Sequence, residues 1–150
     1  MRYLAIILAA TMATAWAGEA AMDKAKKDRL AEVTAKIAKD EACLKRNTPE
    51  RIANERKNGG EGNARDYELA AKTAADRLPS LRLEFRWLKG ELTAESAQKA
   101  VIAAEKSVSD AKDDAAKGRA LATLDAARAE LDAVRGFEAA ELAKAGRGEF

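Results

Sequence analysis

Between Tyr67 and Leu92 the apolar residues Tyr67, Ala71, Ala74, Leu78, Leu81, Phe85, Leu88 and Leu92 recur at alternating spacings of four and three without a miss. On a helix of about 3.6 residues per turn this places them along one stripe, the a/d seam by which helices pack side by side. A strand would need alternation with period two, and no segment of the chain has it. Pro79 falls inside the run without shifting its phase. It removes one backbone donor and crowds the preceding turn, so one kinked but continuous helix is expected. Leu83 and Trp87, four residues apart beside the seam, widen its apolar face.

The rest of the chain reads as helix too. A first segment starts soon after Gly18 and runs to about Arg46, with Leu30, Val33, Ile37 and Leu44 as its stripe and Asp40 standing where an apolar residue belongs. Thr48-Pro49-Glu50 is a restart: a capping hydroxyl, a proline at the first helical position and an acid at the positive end of the dipole. That second piece ends by Lys57. Asn58-Gly59-Gly60-Glu61-Gly62-Asn63 is a turn, with Asn63 the expected cap of the seam helix.

Gly90 closes the seam helix and Thr93 caps the next. Ala97, Val101, Ala104, Val108, Ala111 and Ala115 then make a stripe, and Ala120, Leu124, Ala127, Leu131 and Val134 make another out of phase with it. The slip falls at Lys117-Gly118. One long helix absorbing a stutter is favoured there over a hairpin, because small helix-forming residues flank the slip. Gly146–Phe150 reads as a frayed tail.

Alanine makes up about a quarter of the chain and proline occurs twice, which suits long helices. Alanine buries little area, so a core built from it is thin. The expected fold is all-α: an elongated antiparallel helical hairpin or bundle with coiled-coil-like seams, one domain over 18–145. Charges at helical spacing support it. Glu32–Lys36, Glu41–Lys45, Arg51–Glu55, Glu68–Lys72, Glu95–Lys99 and Arg128–Asp132 are all four apart, each pair worth a few tenths of a kcal/mol.

The first residues carry the layout of a secretory signal: Arg2, an apolar run from Tyr3, and Ala15-Trp16-Ala17 with small residues at the two positions a signal peptidase reads. The run is short for a membrane span, which takes about 20 residues, and meets Glu19. Cleavage after Ala17 is expected, giving a periplasmic or secreted protein with no stable membrane span. Losing residues 1–17 removes one basic residue, Arg2, from the 27, which leaves 26 basic against 25 acidic side chains. A near-neutral balance does not suit a nucleic-acid binder.

No histidine is present, so the usual base near neutral pH is missing, as are histidine-based nucleophilic triads. No cofactor motif occurs: the glycines of the 58–63 turn fit neither GxxxxGK[ST] nor GxGxxG. Asp110, Asp113 and Asp114 are the densest acidic cluster. Asp110 and Asp114 would share a helix face, which reads as a solvated surface rather than a metal site. A pair of carboxylates could still cleave a glycosidic bond, which keeps a cell-wall hydrolase as the enzymatic alternative.

Two places remain for binding. Arg82, Arg86 and Lys89 lie on one face beside Leu83, Phe85 and Trp87, an aromatic-plus-arginine composition frequent in interface hot spots. Packing of Leu83 and Trp87 into a helix–helix core, with the basic groups reaching outward, is the competing role. Cys43, the only cysteine, is the candidate for an intermolecular disulfide, against a small buried residue.

Leu92-Thr93, followed by Gln98, resembles the LTxxQ signature of the CpxP-like periplasmic chaperones, with the glutamine two residues further on and no second copy. The resemblance covers seven residues and implies a small exported helical chaperone or stress protein. The leading expectation is an exported, non-enzymatic helical binding or scaffold protein that acts by self-association or on an envelope protein. Protein from the native host should have an intact mass starting at Gly18. Residues 1–17 retained in a membrane fraction would replace the signal peptide with an anchor.

Overall fold

The structure, a computed structural model, describes the backbone of residues 2–147 and the side chains of residues 23–147. The expected signal peptide, residues 1–17, lies outside the described side chains. Five helices follow one another: α1 (Arg2–Arg46), α2 (Pro49–Lys57), α3 (Glu61–Leu88), α4 (Ala94–Asp110) and α5 (Asp114–Arg147). No strand occurs among the described residues.

The breaks follow from local chemistry. Thr48 accepts from the Arg51 amide and Pro49 opens α2, as its sequence predicts. The exposed Glu50 carboxyl is held below its ordinary range by its own backbone amide, then by the Thr48 hydroxyl. Gly59 ends α2 with φ +78°. The Gly59 amide donates to the Arg56 carbonyl and the Gly60 amide to that of Glu55, the paired bonds of a Schellman turn. The same device closes α3 at Gly90, φ +73°, with bonds to Trp87 and Arg86. A β-carbon at either position would cost strain, since L side chains rarely adopt that φ.

The sequence places the start of α3 at Asn63, and the structure corrects this to Glu61, with Gly60 at the cap position. Asn63 lies within the helix and donates to Glu55 across the turn. The helix runs unbroken through Pro79, as its phase predicts. Leu92, the last seam residue, falls past the end of α3. The chain turns at Gly90 and carries Leu92 into the core beneath α4 and α5, where it is buried.

The expected long helix over 94–145 is also corrected. Ala111 adopts an extended conformation (φ −67°, ψ 125°), and α4 and α5 form a hairpin. Asp113 caps α5: its Oδ1 accepts from the Ala116 amide at 2.7 Å and its carbonyl from that of Lys117. The phase slip therefore marks a reversal of direction, made about five residues before Lys117-Gly118. Asp110 ends one helix and Asp114 begins the next, so the expected shared face does not exist. Ala115 leaves the first stripe and is exposed on α5.

The main core lies in this hairpin. Ala97, Val101 and Ala104 of α4 meet Leu124, Ala127, Leu131 and Val134 of α5, with Leu92 at one end. Arg128 to Glu105 and Arg135 to Gln98 bridge the helices outside and fix them antiparallel. A second, thinner layer pairs α1 with α3 around Val33, Ala74 and Leu78, and α2 covers the start of α3 through Ile52. Helix α3 joins the two layers, its C-terminal turns resting on α5.

Asp113→Ala should lower stability by about 1 kcal/mol through loss of the cap. Asp110→Ala, which removes an acid from the negative end of α4, should change it by less than about 0.5 kcal/mol. Thermal midpoints of the two variants measure this, and equal effects would deny Asp113 the capping role.

Candidate functional site

Arginines on α3 connect it to its neighbours. Arg77 reaches Asp40 of α1 at 2.6 Å, Arg82 reaches Glu41 of α1 at 2.8 Å, and Arg86 reaches Glu130 of α5 at 2.8 Å. In the opposite sense Arg29 of α1 reaches Glu84 of α3 at 2.6 Å. The bond to Glu84 raises the Arg29 guanidinium above its ordinary range, against the opposing cost of burial. Lysines behave otherwise. Lys36, Lys99 and Lys144 pair within their own helices, with Glu32, Glu95 and Glu141. A guanidinium presents several donors in a rigid fork and spans two helices, whereas an ammonium settles on the nearest carboxylate.

The five residues of the basic-aromatic stretch are all engaged inside the molecule. Leu83 and Trp87 pack against the α4–α5 core, and the Trp87 ring lies 5.4 Å from that of Phe137, centre to centre. Arg82 and Arg86 make the bridges given above. Lys89 pairs with Glu91 at 3.1 Å and stands over the Phe85 ring. Exposed pairs of this kind are worth at most about 1 kcal/mol, so the basic groups can exchange partners at small cost, while the indole is held by packing. Thr93, from the LTxxQ-like stretch, caps α4 in a reciprocal box with Ser96, and Gln98 accepts from Arg135.

Sequence reasoning missed a groove between α1 and α3, built around Asp40. Asp40 is buried in the seam, as its place in the stripe requires. Its Oδ1 accepts from Arg77, while Oδ2 has no hydrogen-bond partner among the described residues. Two adjoining clefts share Lys39, Asp40 and Arg77. One, of about 420 Å³, adds Asp76, Ser80 and Leu81. The other, of about 380 Å³, adds Cys43, Leu69 and Thr73. Cys43 is half-buried there, and the Asn47 amide donates to its sulfur at 3.3 Å. In the sequence Leu69 was legible only as a large apolar residue off the seam, and no spacing tied it to α1.

No helix among the described residues is long and apolar enough to cross a membrane. No protein-family model, curated protein or solved structure matches the chain significantly. The groove has a polar rim of both signs around Leu69, Ala70 and the Cys43 thiol.

The Asp40–Arg77 pair is asymmetric, with the carboxylate buried and the guanidinium more than half exposed. Arg77→Ala strands a buried charge and should cost about 1–3 kcal/mol. Asp40→Leu fills the seam with the residue type its position calls for, and should be neutral or stabilising by about 1 kcal/mol or more. Urea unfolding of both variants tests the pair. A cost for Asp40→Leu equal to that of Arg77→Ala would mean the ion pair stabilises the seam outright.

Proposed function

We propose that this chain is an exported, non-enzymatic α-helical binding protein, acting through coiled-coil-like association with itself or with an envelope protein. One observation carries the reading: the α1–α3 layer leaves its apolar stripe half covered. Helix α1 packs chiefly on α3, and Leu30, Ile37 and Leu44 of α1 and Leu81 and Phe85 of α3 are only half-buried along it. Leu69 of α3 stands exposed. A helix with an apolar stripe gains by burying it, at about 25 cal/mol per Å² removed from water. A second helical surface supplies that burial without any catalytic group.

The near-neutral charge and absence of histidine fit such a partner better than nucleic acid or a metal-dependent substrate. Export supplies the setting, since the partner is then an envelope protein or a second copy. In this reading the Trp87 stretch joins α3 to α5, and the half-covered α1–α3 layer meets the partner.

Cross-linking in the native envelope followed by mass spectrometry should capture this chain with itself or with one envelope protein. Trp87→Ala should lower the thermal midpoint while the folded fraction keeps its partner. Loss of capture at an unchanged midpoint would instead make Arg82, Arg86, Trp87 and Lys89 the binding surface. Suppression of client turbidity by the purified protein would point to a chaperone, and release of sugar from purified cell wall to a carboxylate hydrolase.

A further inference from the structure

We propose that the groove between α1 and α3 is the face on which two copies of this chain pair, about a two-fold axis running parallel to these helices. The inference rests on the self-association reading above and gives it a surface and a geometry.

Charge complementarity carries it. Lys39 and Asp76 both line the groove, and neither enters an ion pair among the described residues. The Asp40–Arg77 bond sets the register of the antiparallel α1 and α3. Lys39 and Asp76, each next in sequence to one of the bonded residues, therefore stand at the same height on opposite walls. A two-fold axis along the helices lays α1 of one copy over α3 of the other at equal height. Lys39 of each copy then faces Asp76 of the other, giving two ion pairs in one self-complementary contact. An axis across the helices at this height would set lysine on lysine and aspartate on aspartate, which is repulsive.

The apolar part of the groove agrees with this arrangement. Leu69 is 64% exposed and lies seven residues before Asp76, two helical turns along the same face of α3. The pairing that joins Lys39 to Asp76 lays Leu69 against α1 of the other copy, where the small apolar Cys43 lines the wall. Arg77 is held by Asp40 and Lys36 by Glu32, so Lys39 is the basic group of the groove left for a partner.

Sedimentation velocity of the full mature chain over a micromolar concentration series tests the proposal. The wild type should show a reversible dimer that weakens with added salt. Leu69→Glu should weaken it about tenfold or more with unchanged helicity, because the side chain is exposed in the monomer. Lys39→Glu and Asp76→Lys should each do the same, and the double swap should restore the dimer. A monomeric wild type overturns the pairing and leaves an envelope protein as the partner. A dimer indifferent to all three substitutions, or a double swap that restores nothing, overturns this groove and leaves self-association through another face.

Discussion

Helix α3 is packed by different elements along its length: α2 and α1 over its first turns and middle, α5 against its last turns. Among the described residues the two layers have no other substantial contact. This arrangement depends on α3 remaining one helix through Pro79, because α1 is bridged to it on both sides of the proline, at Arg77 before it and at Arg82 and Glu84 after it. Continuity is possible because Pro79 is exposed, while Ala74 and Leu78 before it are buried. The cost of the missing backbone donor is offset by packing on both sides of it.

The packing itself is thin, and this gives the arginine bridges their role. Alanine at Ala64, Ala74, Ala97, Ala104 and Ala127 lets the helices approach closely but removes little apolar area from water. Shape alone then specifies register weakly. Bridges from Arg29, Arg77, Arg82 and Arg86 all agree with one alignment of α1, α3 and α5, in which the pair on the buried Asp40 weighs most. Each exposed bridge adds little to stability. Asp40 is different, because its burial makes any register that removes Arg77 expensive. The same thinness leaves α1 and α3 half covered.

The charge spacings show how far local rules reach. Glu32–Lys36 and Glu95–Lys99 form within their helices as spacing predicts. The carboxyl of Glu32 is held below its usual range by Lys36 first and Arg29 second. The other four anticipated pairs yield to partners on other helices or to an aromatic ring. Glu41 takes Arg82, Glu68 takes Arg56, Arg128 takes Glu105, and Arg51 stacks on Tyr67. A few tenths of a kcal/mol in a local pair is easily outweighed once packing brings a better-placed partner near.

The sequence by itself determined that the chain is helical, where α2 and α4 begin, that α3 runs through Pro79, and which stripes are apolar. These depend on periodicity, capping groups and proline placement, all of which act within a few residues. The tertiary structure decided that the two stripes after Thr93 fold into a hairpin, because a phase slip looks the same whether the helix stutters or reverses, and only the burial of Val101 against Leu131 separates the two. It also decided that Asp113 caps a helix where an acidic surface cluster was expected, and that Leu92 leaves its own helix to fill the core of another. The groove of Lys39, Leu69 and Asp76 belongs to the same class. Its walls lie some thirty residues apart in the chain, and nothing short of the packing of α1 on α3 sets them side by side.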